Sequence, residues 1–135
     1  MDIIIEIDGQ IEESEVVDLY EANGWSSPQK PDKLIPALLN SDTLVTARVD
    51  GKLVGIGNAI SDGHLVVYYP HMLVHPSYQG KGIGRRMMEL MLTLYENFHQ
   101  QMITADVNAV GFYKKMGFER AGTTESMWIY SGKEH

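Results

Sequence analysis

The sequence predicts a single α/β (α+β) domain in which helices flank a mixed, mostly antiparallel twisted sheet. With 135 residues, the chain has the length of one domain with one buried core, so we expect residues 1–135 to fold together. The pairs Asp50-Gly51 and Asp62-Gly63 separate apolar runs and are strong hairpin turn signals. Apolar residues at helical spacing occur on both sides of these runs. Strands grouped between helices indicate this class.

The first 40 residues predict one strand and two helices. Residues 2–7, with four isoleucines, read as a strand. Ser14 can cap a helix that ends near Asn23. Pro31 or Asp32 can begin a shorter helix that ends near Asn40.

The remainder predicts a sheet interrupted by one long helix. Met87, Met91 and Leu94 recur at helical spacing behind Gly84. A shorter helix follows over 108–116. Strands are predicted at 43–49, 52–60, 64–74, 102–107, 118–121 and 127–130.

The last predicted strand, Met127–Tyr130, would lie at an edge of the sheet. An exposed edge presents unpaired N–H and C=O groups, which a second copy can cover. We therefore regard a homodimer as a plausible assembly.

Composition narrows the choice of partners and compartment. The net charge is −7, and eight of the 18 acidic residues lie within the first 21 positions, which argues against nucleic-acid binding. The absence of cysteine excludes disulfides and thiolate metal sites. No long uncharged apolar span is present, so we expect no membrane partner and a cytoplasmic, bacterial protein.

The stretch from Gln79 to Arg86 combines glycines with positive charge. Gly80, Gly82 and Gly84 alternate where an apolar strand passes into the long helix. The first turn of a helix has free N–H groups and a positive dipole end, and glycine lets a ligand approach the backbone closely. The stretch therefore predicts a phosphate cradle.

Spacing distinguishes this cradle from other phosphate motifs. A P-loop needs four residues between its first Gly and Gly-Lys-Ser/Thr, and a dinucleotide fingerprint needs Gly-x-Gly-x-x-Gly. Here Gln79-x-x-Gly82-x-Gly84 follows a strand and opens a helix. This arrangement resembles the acetyl-CoA signature of the GNAT N-acetyltransferases.

A second stretch supports the resemblance. Asn108, then Phe112-Tyr113, then Gly117-Phe118 is similar to a GNAT pattern near the C-terminus. Shorter matches, such as Gly24-Trp25 and Ser61-Asp62, are similar to the plastid serotonin N-acetyltransferase branch and its bacterial relatives.

The resemblance implies that acetyl-CoA is the co-substrate and lies where the fourth and fifth strands splay apart. The backbone of two strand residues would pair with the pantetheine arm, the glycine stretch would hold the pyrophosphate, and an asparagine side chain would contact the arm. The cofactor-binding residues implied are Leu73, Val74, Gln79, Gly80, Lys81, Gly82, Ile83, Gly84, Arg85 and Asn108.

Direct transfer of an acetyl group to an amine needs an acid and a neutral amine. Tyr113 can protonate the departing thiolate, since the reference pKa of tyrosine, about 10, lies above that of a thiol, about 8.5. The alternative for Tyr113 is a packed core aromatic. His71 is a candidate general base, because histidine titrates near neutral pH. Related enzymes often have an acidic residue at this position, and the alternatives for His71 are packing or surface exposure.

No metal is expected at His71 and His75, because four strand residues span about 13 Å. The expected activity is acetyl-CoA-dependent acetylation of a primary amine, with a small molecule as acceptor. Two alternatives remain open: acetylation of a protein lysine or N-terminus, and a non-enzymatic acyl-CoA-binding module.

Overall fold

Six strands form one mixed sheet in the computed structural model, which describes residues 2–132. In chain order they are β1 (Ile3–Ile7), β2 (Thr43–Val49), β3 (Lys52–Ser61), β4 (Val66–Tyr68), β5 (Met72–Val74) and β6 (Gln100–Met102). The main path is β1-β2-β3-β4-β6, and β5 also pairs with β3. All pairs are antiparallel except β4 with β6. The predicted fold class is confirmed.

Four α-helices cover the sheet: α1 (Glu13–Ala22), α2 (Pro31–Leu39), α3 (Ile83–Leu94) and α4 (Val110–Lys115). One face of the sheet packs against α3 through Met87, Met88 and Met91. The other face packs against α1 and α2 through Leu19, Leu34 and Leu38. We call these the α3 face and the α1/α2 face. Within residues 2–132, no helix has the length and apolar character needed to cross a membrane.

The start of α1 differs from the prediction. Ser14 lies inside the helix, and Glu12 is the N-cap. The Glu12 side chain accepts a bond from the backbone of Glu15, whose side chain accepts from the N–H of Glu12. Two helix-end donors are satisfied by this reciprocal capping box, so the serine is not needed as a cap.

The strand predicted over 64–74 is divided into β4 and β5. Both halves pair with β3: Tyr68 lies opposite Ile60, and Met72 lies opposite Gly57. Between these pairs, three residues of one strand face two of β3, which is the count of a β-bulge. Pro70 lies in the bulge and has no N–H to donate. The prediction missed this bulge.

The sheet opens where β5 and the chain after β6 diverge. The parallel ladder of β4 and β6 ends at Tyr69, whose N–H donates to the carbonyl of Met102 at 3.0 Å. Within the described chain, no backbone bond joins β5 to residues 103–106. The fourth and fifth predicted strands therefore splay apart as expected. The predicted strand 102–107 is wrong in its bounds, because β6 ends where this pairing ends.

The predicted strands 118–121 and 127–130 are absent, because these segments find no partner strand. Ile129 is fully exposed, and the Tyr130 hydroxyl lies 3.1 Å from that of Ser26. Lys30 donates to the side chain of Ser131 at 3.2 Å. The tail thus turns toward the loop before α2, and the edge-strand argument for a homodimer has no basis in the fold.

Gly55 of β3 provides a stability test. A Cβ on Gly55 would lie 2.7 Å from Met87 Sδ and 3.2 Å from Ala47 Cβ, both fully buried. We expect Gly55→Ala to lower the free energy of unfolding by about 1–3 kcal/mol through overpacking. Urea denaturation measures this loss.

Gly111→Ala is the matched control, because the residue is inside α4 and a Cβ added to it would have no atom within 4 Å. Its stability should stay the same or rise, since alanine favours a helix over glycine by about 1 kcal/mol. Equal stability of the two variants would contradict the overpacking argument.

Candidate active site

The exposed edge of β5 provides backbone groups to the opening in the sheet. His75 N–H donates to Val54 at 2.7 Å, and the carbonyl of His71 accepts from Asn58 at 3.0 Å. In an antiparallel pair, the backbone N–H and C=O groups of every second residue face the partner strand. The backbone groups of Leu73, which lies between His71 and His75, therefore also face β3. The backbone groups of Val74 and Met72 point the other way, into the opening.

Because of this alternation, the backbone groups of Leu73 and Val74, the two strand residues implied by the resemblance, point in opposite directions. Val74 presents its backbone to the opening. Leu73 is buried at 5% exposure and packs on the α1/α2 face. Met72, which the resemblance did not select, has the backbone orientation expected of Leu73.

The glycine stretch forms a row of unpartnered amides before and within the first turn of α3. Gly80 and Gly82 have φ of +78° and +81°, which glycine adopts without strain, and Gly82 is the N-cap of α3. Within residues 2–132, no backbone N–H from residue 80 to residue 85 donates to another backbone group. No atom lies within 4 Å of a Cβ built on Gly80 or Gly82. Together with the helix dipole, these amides fit an anion such as a pyrophosphate.

The amide row lies directly beside the open edge of β5. A Cβ on Gly84 would be 3.5 Å from Val74 Cγ2 and 3.7 Å from Phe112 Cζ, so the start of α3 lies between β5 and α4. Gln79 Nε2 donates to the carbonyl of Val74 at 3.0 Å. The loop is thus tied to the strand end, on the α3 face.

Charged side chains around the cradle are exposed. Arg85 Nε donates to Glu89 at 2.8 Å in an exposed ion pair, which leaves its charge partly balanced. Lys81 is exposed, and no ion pair within residues 2–132 involves it. Ile83 is 1% exposed, so only its backbone can serve the cradle.

Tyr113 lies on α4 beside a cavity of about 1190 Å³ between β6, α4 and the tail. Its ring contacts Phe112 and Phe118 edge-on, with centroids 5.1 and 5.7 Å away. Burial raises the pKa of Tyr113 above its ordinary value, so the hydroxyl is protonated at neutral pH. Tyr113 is therefore both packed against the core and able to donate a proton.

Asn108 is exposed in a short 3-10 turn before α4. Asp106 caps this 3-10 turn through a carboxylate that accepts from the N–H of Asn108 at 3.4 Å, and Ala109 is the N-cap of α4. The predicted helix 108–116 is correspondingly shorter, and α4 begins at Val110. Capping therefore does not engage the Asn108 side chain.

His71 lies on the bulge and is held by two polar residues that the sequence analysis did not select. Asn58 Oδ1 accepts from the His71 N–H at 3.0 Å, while the Asn58 N–H donates back to the His71 carbonyl at 3.0 Å. Asn58 Nδ2 donates to Ser41 Oγ, which satisfies this side chain in the core. The Tyr20 hydroxyl lies 2.7 Å from His71 Nδ1.

The Tyr20 hydroxyl determines which ring nitrogen of His71 carries hydrogen. Tyr20 is completely buried, and His71 Nδ1 is its hydrogen-bond partner within residues 2–132. Burial raises the pKa of Tyr20, so the group keeps its hydrogen. A buried hydroxyl without an acceptor would be costly, so Tyr20 donates to Nδ1. The hydrogen of neutral His71 is then on Nε2.

A small cavity of about 330 Å³ lies beside His71 on the α1/α2 face. The loop before α2, α2 itself and the tail form its walls. Trp25 is close by, with its ring centroid 5.0 Å from that of His71. This cavity and the glycine cradle are on opposite faces of the sheet, and the opening at Val74 is between them.

No sequence pattern pointed to Tyr20 or Asn58. Tyr20 reads as one more apolar residue of α1, 51 positions before His71. Asn58 is a polar residue inside an apolar strand, and this is the signal that could have identified it. Within residues 2–132, no group of three or more His, Cys, Asp or Glu could hold a metal ion.

Comparison with known proteins agrees with this geometry. Residues 20–127 match the family model described as "Acetyltransferase (GNAT) domain". A GNAT-family acetyltransferase from Streptococcus pneumoniae TIGR4 superposes with a TM-score of 0.83 and 30% identity, covering 96% of this chain and 98% of the other.

Two sequence relatives are named by activity. "GCN5-related N-acetyltransferase 2, chloroplastic" of Arabidopsis thaliana is 30% identical over 87% of this chain, which spans 54% of that protein's length. "Peptidyl-lysine N-acetyltransferase YjaB" of Salmonella typhimurium is 36% identical over 47% of this chain and 46% of its own. With the family model spanning most of the described residues, the chain belongs to the GNAT family of acetyltransferases.

Proposed function

We propose that this protein transfers an acetyl group from acetyl-CoA directly to a primary amine on a small molecule. The observation that carries the proposal is the row of unpartnered amides from residue 80 to residue 85 beside the open edge of β5. Family membership favours a transferase over an acyl-CoA-binding module without activity.

The chain supplies binding groups for the co-substrate on the α3 face. The amides of residues 80–85 and Lys81 would hold the phosphates, and the Val74 backbone would pair with the pantetheine arm. Gln79 would have to release the Val74 carbonyl if that oxygen is used. A Val74 N–H directed into the opening can stabilise negative charge on the acetyl oxygen.

Tyr113 is proposed as the acid that protonates the departing thiolate. Its raised pKa keeps it protonated but makes the transfer uphill by more than the roughly 1.5 pKa units between the reference groups. The contribution of Tyr113 to the reaction rate must therefore come mostly from the position of its hydroxyl relative to the thiolate.

His71 is proposed as an acceptor-site residue whose ring is positioned by the Tyr20 hydroxyl. Tyr20 engages the nitrogen lone pair that a base would use. This geometry disfavours His71 as the general base, the role first considered for it, and leaves removal of the amine proton to water or to the amine arriving neutral.

A peptide lysine is the second candidate acceptor, because the Salmonella relative is named for peptidyl-lysine. A peptide requires an extended groove, whereas the cavity beside His71 measures only about 330 Å³. The cavity favours a small acceptor. Thiol release assayed with small amines and with lysine peptides distinguishes the two.

The cradle is tested by Gly82→Asp, which places a carboxylate at the expected phosphate position. Calorimetric titration should show acetyl-CoA binding at least tenfold weaker than to the wild type. Gly63→Asp is the matched control, because its φ is +82°, nothing lies within 4 Å of its Cβ, and it is in the distant β3–β4 turn. Both variants bear similar backbone strain, of about 1–2 kcal/mol. Equal affinity in the two variants would refute the cradle.

Tyr113→Phe removes the proposed acid while keeping the ring. We expect kcat to fall about 10²-fold or more, as for loss of a positioned acid, while acetyl-CoA affinity stays the same. Steady-state thiol release and calorimetry measure the two quantities. An unchanged kcat would show that Tyr113 is only a packing residue.

Tyr20→Phe tests the hydrogen position on His71. In the wild type, long-range ¹H–¹⁵N spectra should show an unprotonated Nδ1, whereas the variant should also populate the Nδ1–H tautomer. Tyr68→Phe, at an exposed position of β4, is the control and should leave the His71 signals unchanged. A protonated Nδ1 in the wild type would restore His71 as a candidate base.

A further inference from the structure

We propose that this protein forms a two-fold homodimer in which residues 127–130 of each copy pair with β6 of the other copy. We call these four residues the tail segment. The open strand edge used is that of β6, and not the tail segment itself, which lies outside its own sheet.

β6 presents backbone groups that no strand of the described chain uses. It ends the main path of the sheet, where β4 is its neighbour. The N–H of Gln100 donates to Leu65 at 3.2 Å, and the carbonyl of Met102 accepts from Tyr69 at 3.0 Å, so both β6 residues face β4. Gln101 lies between them and therefore presents its backbone groups to the outer edge. Such an edge is a template for pairing with another strand.

A cavity of about 1190 Å³ borders this edge of β6, between α4 and residues 118–126. Because neighbouring strands lie about 4.8 Å apart, a strand that pairs with β6 would occupy this cavity. Much of the lining is apolar and would pack against an apolar strand: Met102, Ile103, Val110, Met116 and Phe118. Tyr113 also lines the cavity, so the added strand would lie beside the proposed acid.

The tail segment has the properties of a strand without a partner. Its sequence, Met-Trp-Ile-Tyr, carries no charge and favours strands. The rings of Trp128 and Tyr130 stack with centroids 4.3 Å apart, so these side chains are on one side, as in an extended chain. Met127 and Ile129 are 93% and 107% exposed. Within the described chain, the backbone of residues 127–129 forms no hydrogen bond.

The tail segment is held away from the β6 cavity of its own chain. The Tyr130 hydroxyl lies 3.1 Å from Ser26 Oγ, and Lys30 donates to Ser131, so its end is bonded to the loop before α2. Reaching its own β6 would break these bonds, whereas β6 of a second copy can approach the free backbone with the bonds intact. A two-fold axis makes the contact reciprocal, so both tail segments and both cavities are used.

The area available fits a stable dimer. At about 150 Å² for each of Met127, Trp128 and Ile129, the lower figure for a buried aromatic residue, one tail segment would bury roughly 450 Å². The cavity wall that it covers would lose a similar area. Two exchanged segments would then bury roughly 1,800 Å² in total, within the range of about 1,200–2,000 Å² that stable interfaces have.

Sedimentation of the full chain over a range of concentrations tests the dimer. Ile129→Lys should raise the dissociation constant of the dimer at least tenfold, and the folded monomer should remain intact because this side chain is fully exposed in one chain. Leu39→Lys is the matched control, since Leu39 is also exposed and lies at the end of α2, outside the cavity lining. A monomeric wild type, or equal dissociation constants for the two variants, would overturn the proposal.

Cysteine crosslinking shows whose tail segment enters the cavity. The chain has no cysteine, so introduced thiols react without background. In a mixture of Met102→Cys and Ile129→Cys chains, a short bismaleimide should give more covalent dimer than in either variant alone. In the double variant, the crosslink should join two chains, and a crosslink within one chain would contradict the exchange. Neither experiment requires turnover of acetyl-CoA, so both results are independent of the proposed function.

Discussion

The two hydrogen bonds that hold the His71 backbone to Asn58, one from the Asn58 N–H and one to its side-chain oxygen, are the constraint on which the site depends. They form where β4 and β5, both paired with β3, are separated by a bulge of one residue. The bulge lets β4 remain with β6 while β5 diverges, and this creates the opening. A buried side-chain amide bridging a bulge satisfies backbone groups that would otherwise be lost to the ladder. The bulge thus explains why Asn58, a polar residue, lies in the middle of an apolar strand.

The opening divides the functions between the two faces of the sheet. The amide row and α4 are on the α3 side, whereas His71, Tyr20 and the small cavity are on the α1/α2 side. Under the proposed function, the co-substrate and the acceptor would approach from opposite sides and meet at Val74. Tyr20 belongs to the hydrophobic core of one face and yet orients a residue of the site, so packing and function are coupled there.

The tail is where sequence reasoning and structure differ most. Residues 127–130 have strong strand propensity, but propensity alone does not form a strand, which needs a partner with free ladder groups. The tail instead bonds to the loop before α2 and lines the cavity beside His71. The bounds of 64–74 and 102–107 were wrong for a related reason, because the bulge and the splay are properties of paired strands.

The sequence by itself determined the order of the four helices, the hairpin turns and the glycine loop that leads into α3. These depend on contacts between residues close in the chain: glycine at positive φ, turn residues between apolar runs, and apolar residues at helical spacing. Tertiary structure alone decided which backbone groups of β5 face the opening, which tyrosine holds His71, and where the tail lies. Those features join Tyr20 to His71 and the tail to the loop before α2, across 51 and about 100 residues, and local patterns carry no information about such distances.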